Sequence, residues 1–160
     1  MNIPTRRSSG FTIIELLVVI VLIIILCALI VLTYSGVRAK NRNAERQVDI
    51  NSLQAQLESY YAVYTRYPTF SDLSQSSWRQ QNLKKLAADG LQDPHWSMHD
   101  SACTKDGKAI PVVAPTPNCY SYQVTSSDGS ICDNVKVDCA HYTLTSPLEG
   151  GDKYVKTSLN

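Results

Sequence analysis

The sequence predicts an α+β protein, in which a long N-terminal helix packs on a small antiparallel sheet and the C-terminal loops carry disulfide bonds. Three observations lead to this prediction. Every residue from position 16 to position 32 is apolar. No proline interrupts the chain between Pro4 and Pro68. After Cys119 the apolar and polar residues alternate, which is the period of a β-strand.

The composition limits the classes of protein that the chain can belong to. It has 160 residues, with 15 lysines and arginines against 14 aspartates and glutamates. This length fits one domain with an appendage. The balanced charge gives no long-range attraction to nucleic acid or another polyanion. The apolar residues are concentrated in one N-terminal run, and this argues against a purely soluble protein with a single core.

Residues 11–32 form a candidate transmembrane helix. A bilayer core needs roughly 20 helical residues, and Thr12 and Glu15 are the polar interruptions of this segment. A cleavable secretory signal usually has a shorter apolar region, of about 7 to 15 residues, followed by a small-residue cleavage site. The sequence shows no such site, so we expect a retained anchor. Residues 1–10 form a short basic segment, which is predicted to be a leader peptide.

The junction between leader and anchor has the sequence GFTIIE at residues 10–15. It combines a glycine before an aromatic residue, a single acid four residues later, and an apolar helix. This junction resembles the class III leader junction of type IV pilins and pseudopilins. The resemblance implies that a membrane prepilin peptidase cuts after Gly10, on the cytoplasmic side, and methylates the new amino group of Phe11.

Glu15 is the ionisable residue of the apolar segment, where a charge is costly and requires a partner. One explanation is local, because a carboxylate in the first helical turn is stabilised by the helix dipole. The resemblance implies an assembly role instead, in which Glu15 of one subunit pairs with the Phe11 amine of a neighbour. Many members of the family also have a helix-kinking proline in this stretch, and this sequence lacks one.

Two signals conflict over the orientation in the membrane. More basic residues follow the anchor than precede it, and this would place the C-terminal domain in the cytoplasm. Four cysteines in the last third of the chain instead indicate disulfides and an oxidising, external compartment. We expect the C-terminal domain to lie outside. The basic residues after the anchor are Arg38, Lys40, Arg42 and Arg46, and the cysteines are Cys103, Cys119, Cys132 and Cys139.

Residues 33–67 are predicted to continue the helix as an amphipathic segment that ends at Tyr67, because a residue before proline is disfavoured in a helix. Its basic residues are expected to be solvated, or alternatively to meet lipid headgroups or acidic partners in a neighbouring subunit. The apolar residues at helical intervals are Ala44, Val48, Leu53, Leu57, Tyr60, Tyr61 and Tyr64.

Residues 68–160 are predicted to form a globular head. One or two short helices are expected between residues 71 and 88, followed by a proline-rich loop at 93–118. Strands are expected at residues 120–125, 135–137, 142–145 and 153–158, with turns at 127–129 and 149–152. The residues expected on the buried side of the short helices are Trp78, Leu83, Leu86 and Leu91.

The four cysteines are expected to form two disulfides between nearest neighbours, Cys103 with Cys119 and Cys132 with Cys139, although three pairings exist. A zinc site at the same residues is the weaker alternative, because the sequence has no CxxC pair.

No cofactor is expected. Calcium is the alternative considered for the C-terminal aspartates, since some pseudopilins bind calcium in a C-terminal loop. The candidate ligands do not follow an EF-hand spacing, and aspartates are common in turns for backbone reasons. These candidates are Asp128, Asp133, Asp138 and Asp152.

No enzymatic activity is expected. The sequence has no Gly-rich phosphate loop and no G-x-S-x-G motif. His95 and His99 are four residues apart, but they follow Pro94 and lack the glutamate of an H-E-x-x-H metal motif.

The resemblance implies a structural subunit of a type IV pilus that serves adhesion, twitching motility or DNA uptake. Such a subunit is stored in the cytoplasmic membrane and becomes extracellular after assembly. Its partners would be other copies of itself, the prepilin peptidase, the assembly platform and motors, and membrane lipid. The alternatives are a pseudopilin of a type II secretion or competence system, or a membrane-anchored adhesin or receptor that does not polymerise.

Overall fold

A computed structural model of the chain describes residues 11–87 and 89–160, without the side chains of residues 31–35. The predicted leader, including the cleavage residue Gly10, lies outside the described residues. The chain forms two compact units, Met1–Ala39 and Lys40–Asn160.

The first helix, α1, runs from Ile13 to Tyr64 and confirms the predicted long N-terminal helix. Within the first unit, Ile13–Ile30 has a mean hydropathy of 3.5, and none of this segment is buried. It is long and apolar enough to cross a membrane.

Helix α1 ends before the predicted stop at Tyr67. Thr65 adopts a left-handed conformation with a φ of 55°, and its N–H donates to the Tyr61 carbonyl at 2.7 Å. The N–H of Tyr67 instead donates to the carbonyl of Cys139 at 2.8 Å. The helix therefore closes on a left-handed cap, and the next residues already belong to the head.

Two short helices follow α1, as expected. Helix α2 covers Phe70–Ser74 and begins with a capping box between Thr69 and Asp72. Helix α3 covers Ser76–Asn82 and is shorter than the predicted helical region. The residues expected on the buried side all reach the core: Leu83 and Leu91 are buried, and Trp78 and Leu86 pack against the core from partly buried positions.

The head contains two small antiparallel sheets. Strands β1 (Thr104–Lys105) and β2 (Lys108–Ala109) form a hairpin, and β3 (Ser121–Thr125), β4 (His141–Pro147) and β5 (Lys153–Thr157) form a sheet in that order. The hairpin lies in the region predicted to be a loop. Its Asp-Gly turn, with φ values of 53° and 70°, is a strong hairpin signal that sequence reasoning missed.

The strand predicted at residues 135–137 is wrong. The N–H groups of these three residues donate to one carboxylate oxygen of Asp133, at 2.9, 2.8 and 3.1 Å. These amides are therefore unavailable to a neighbouring strand. The segment forms a tight loop inside the second disulfide.

The core of the head lies between α1 and the three-stranded sheet. Of the apolar residues that recur at helical intervals, Leu53 and Leu57 are buried, whereas Ala44, Val48 and Tyr64 are exposed. The buried face of the helix continues through Ile50 and Arg46 instead. The buried aromatic and aliphatic residues that meet this face are Tyr67, Leu73, Tyr120, Tyr122, Tyr142 and Leu144.

Glu58 of α1 connects the helix to the sheet. Its carboxylate accepts hydrogen bonds from the Tyr67 hydroxyl at 2.9 Å and from the Tyr142 hydroxyl at 2.6 Å. Burial raises the pKa of both phenols, that of Tyr67 to about 12, so both phenols act as donors at physiological pH.

The two disulfides join Cys103 to Cys119 and Cys132 to Cys139, with sequence separations of 16 and 7. These are the nearest-neighbour pairs expected from the sequence. Because every cysteine of the head is oxidised, none is a thiolate that could bind zinc.

Loss of either disulfide is expected to destabilise the head. In the chain-entropy model, replacing Cys103 and Cys119 together by serine costs about 3 kcal/mol, and replacing Cys132 and Cys139 costs about 2.4 kcal/mol. Denaturant unfolding of the full chain in detergent micelles measures both free energies. Cys27→Ser, which removes the free cysteine, is the matched control and should leave the free energy of unfolding of the head unchanged. Unchanged unfolding of both double variants would contradict the expectation.

Candidate functional site

The N-terminus of α1 is fixed by a reciprocal capping interaction. The Glu15 N–H donates to the Thr12 hydroxyl at 3.2 Å, and the Thr12 N–H donates to the Glu15 carboxylate at 3.4 Å. This is the T-x-x-E capping box, which is a recognisable sequence signal. Sequence reasoning identified Glu15 and Phe11 but missed Thr12.

The capping box determines where the Glu15 carboxylate lies. It holds this group at the first turn of the helix, where the helix dipole also stabilises a negative charge. Glu15 remains exposed, as does Phe11, whose exposed fraction is 81%. The carboxylate is therefore both ordered and accessible to a group outside the chain.

The surface of the helix after Glu15 is apolar and open on all sides. Between Ile13 and Ile30 the large hydrophobic side chains are 44% to 85% exposed, and Cys27 is exposed as well. Each square ångström of such surface costs about 25 cal/mol in water. This helix thus needs an apolar environment, either lipid or other helices.

In the head, Arg46 of α1 forms a buried ion pair with Asp93. The Arg46 Nε and Asp93 Oδ2 atoms are 2.7 Å apart, and Nη2 and Oδ1 are 2.9 Å apart. The two side chains are 3% and 0% exposed. The expected solvated face is therefore wrong for Arg46, whose partner 47 positions later could not be identified from helical spacing.

Glu149 extends this ion pair to the turn between β4 and β5. Its carboxylate accepts hydrogen bonds from both Nε and Nη2 of Arg42 and from Nη1 of Arg46 at 3.4 Å. The Arg42 hydrogen bonds lower the pKa of Glu149 to about 2. His95 lies 3.3 Å from the same carboxylate. The cluster ties α1, the segment after Asp93 and the β4–β5 turn together.

Asp49 lies one turn further along α1, at a position where burial disfavours a charged carboxylate. It accepts a hydrogen bond from the Tyr120 hydroxyl at 2.7 Å. Burial, reinforced by the nearby charges of Glu45, Asp89 and Asp93, raises the pKa of Asp49 to about 6. A protonated Asp49 is thus better suited to this site than a charged one.

Two of the acidic residues considered for calcium, Asp128 and Asp133, accept hydrogen bonds within their own turns, and Asp138 lies 3.3 Å from Nη1 of Arg66. Asp128 accepts from the Ser126 hydroxyl and, at 3.0 Å, from the Ser130 N–H, and these bonds lower its pKa to about 2. Asp133 accepts the three amides described above. Within residues 11–87 and 89–160, no group of three or more histidine, cysteine, aspartate or glutamate side chains is placed to hold a metal ion.

Comparison with known proteins finds a family match in the N-terminal segment. Residues 5–31 match the family model of the prokaryotic N-terminal methylation motif. The chain is also 39% identical over 64 residues to the type II secretion system core protein G of Dickeya chrysanthemi, and this match covers 40% of the chain. The chain spans less than half, 42%, of the length of that relative. No solved structure matches significantly.

These findings show a prepilin-type methylation motif at the N-terminus of the chain. The motif and the similarity to a type II secretion protein confirm the resemblance to type IV pilins and pseudopilins seen at residues 10–15.

Breaking the buried ion pair should strongly destabilise the head. Asp93→Ala leaves the Arg46 charge buried without its carboxylate, so we expect a loss of about 3 to 5 kcal/mol in the free energy of unfolding. Asp89→Ala removes an exposed carboxylate of the same segment and should cost less than about 0.5 kcal/mol. Denaturant titration of the full chain in detergent measures both. Equal losses in the two variants would contradict the importance of the pair.

Asp49 should make the stability of the head depend on pH. The folded-state pKa of about 6 lies above the unfolded value, so the folded state binds the proton more tightly. Its contribution to stability is present below about pH 4 and is lost as the pH rises through about 6.

The variant Asp49→Asn tests this pH dependence because it keeps an oxygen acceptor for Tyr120 but carries no charge. We expect it to melt at a higher temperature than the natural chain at pH 7.5, and the difference to vanish near pH 4. A difference that does not change with pH would contradict the role of Asp49.

Proposed function

We propose that the chain is a structural subunit of a type IV pilus, released from its leader by cleavage after Gly10 and polymerised through α1. The observation that carries this proposal is the open apolar surface of Ile13–Ile30 directly behind a prepilin-type methylation motif. Such a surface requires lipid before assembly and other copies of the same helix afterwards.

The exchange of lipid for neighbouring helices explains how the subunit can leave the membrane. In the bilayer the apolar side chains of α1 contact acyl chains, and in the filament they contact the α1 helices of other copies. Neither state exposes them to water, so extraction avoids most of the hydrophobic cost of about 25 cal/mol per Å². The assembly platform and motors would drive this exchange.

Glu15 acts in the assembly step. Cleavage after Gly10 creates an α-amino group on Phe11, close to the capping box. The Thr12 hydrogen bonds hold the Glu15 carboxylate at the helix surface, where the amine of a neighbouring subunit can pair with it. In the absence of water this pairing offsets the cost of a charge within the apolar core of the filament.

The head supplies the outer surface of the filament. Its two disulfides indicate an oxidising compartment outside the cytoplasm, whereas the prepilin peptidase would act on the cytoplasmic side of the membrane. Exposed loops of the head would then determine what the pilus contacts in adhesion, twitching motility or DNA uptake. The role is structural, and no catalytic step is assigned to the chain.

A second candidate is a pseudopilin of a type II secretion or competence system. The similarity to the type II secretion system core protein G favours it. A pseudopilin would use the same processing and the same packing of α1. It would form a short periplasmic filament, so filament length on the cell surface separates the two candidates.

The variant Glu15→Gln tests the assembly role. We expect normal leader cleavage, measured as the intact mass of the membrane-bound protein, and at least a tenfold loss of sheared surface filaments. Glu45→Gln, a change at an exposed carboxylate of α1 in the head, is the matched control and should assemble normally. Abundant filaments of the Glu15→Gln variant would exclude the pairing. Loss of cleavage in that variant would instead assign Glu15 to recognition by the peptidase.

A further inference from the structure

The β1–β2 hairpin places two positive charges directly opposite each other. Lys105 pairs with Lys108 across the Asp106-Gly107 turn. Like charges at directly opposed positions destabilise a strand pair. Within the part of the chain that the structure describes, neither lysine forms an ion pair with an acidic side chain. The two lysines thus repel each other, and no ion pair among the described residues offsets this repulsion.

Arg79 of α3 adds a third positive charge beside this hairpin. It is only 8% exposed, and its guanidinium donates to the carbonyls of Leu73 at 2.6 Å and of Ala109, in β2, at 3.1 Å. Both acceptors are neutral, and among the described residues no carboxylate pairs with Arg79. A buried charge without a countercharge is costly, and burial lowers the pKa of Arg79 accordingly.

The three cations line two adjoining cavities, which we call the cationic cleft. A cavity of about 130 Å³ is lined by Arg79 and Lys108, and one of about 280 Å³ by Lys105 and Lys108. Ser76 also lines both cavities. Asp106 lines the larger one, so the cleft carries three positive charges and one negative charge.

We propose that the cationic cleft binds an oxyanion of the phosphate or sulfate type. The planar guanidinium of Arg79 and the ammonium groups of the two lysines are suited to this chemistry, and the Ser76 hydroxyl can donate a further hydrogen bond. The net charge of +2 favours a ligand with more than one negative charge. Because Asp106 repels anions, the ligand is placed on the Arg79–Lys108 side.

The bound oxyanion would remove both of the unfavourable features. It offsets the positive charge of Lys108, which weakens the repulsion between Lys108 and Lys105, and it provides Arg79 with the countercharge that it lacks. Binding should therefore stabilise the head. The inference goes beyond filament formation and does not depend on it, because the cleft is complete within a single chain.

The test is thermal unfolding of the full chain in detergent micelles, with inorganic phosphate against sodium chloride at equal ionic strength. Phosphate should raise the melting temperature of the natural chain, and inorganic sulfate should do the same. Lys108→Gln should bind phosphate about tenfold more weakly, the loss expected for one charged hydrogen-bond partner. Without phosphate this variant should melt above the natural chain, because the like-charge pair is gone.

Lys136→Gln is the matched control, since it removes an exposed lysine of the Cys132–Cys139 loop. It should change neither the affinity for phosphate nor the melting temperature without phosphate. The proposal is overturned if phosphate stabilises the natural chain no more than chloride does, or if Lys108→Gln and Lys136→Gln respond alike. Tripolyphosphate identifies the source of the anion. Much tighter binding of tripolyphosphate than of phosphate supports an oxyanion carried in a chain of linked groups, and equal binding supports a free ion.

Discussion

The apolar surface of α1 between Ile13 and Ile30 is the constraint on which the rest of the molecule depends. Its side chains are open on every side of the helix, and exposing this surface to water is unfavourable. The surface must therefore be covered by lipid or by other apolar helices. A single carboxylate, that of Glu15, interrupts this surface, and the capping box with Thr12 holds it at the helix start. In the assembly proposed above, a neighbouring copy would meet this carboxylate already in place.

The second unit uses the same helix in a different way. From Arg46 onwards, one face of α1 becomes part of a folded core, with Ile50, Leu53 and Leu57 against the tyrosines of the sheet. Polar contacts fix its position at both ends of this face. Arg46 pairs with Asp93 near the start, and Glu58 accepts the hydroxyls of Tyr67 and Tyr142 towards the end. Two disulfides then close the loops at residues 103–119 and 132–139. The head is thus held by a few buried polar links in addition to a small core.

Much of this architecture could be predicted because its signals are local. The apolar run, the absence of proline and the alternation in β3 are read directly from neighbouring residues, as is the nearest-neighbour pairing of cysteines. The errors arise where contacts distant in sequence decide the outcome. The sequence predicts a solvated Arg46 because helical spacing cannot identify Asp93, which lies 47 positions later, as its partner. A strand is predicted at residues 135–137, but the Asp133 carboxylate accepts the hydrogen bonds of their amides instead. The Asp106-Gly107 hairpin and the Thr12 cap were local signals that were missed.

The most direct test of the central claim is the reactivity of Cys27 towards a small maleimide. This free cysteine lies on the open surface of α1, so it should be labelled readily in detergent micelles. In intact filaments sheared from cells, neighbouring copies of α1 should cover it and labelling should fall at least tenfold. Equal labelling of Cys27 in filaments and in micelles would contradict the account, because the apolar surface would then remain uncovered after assembly.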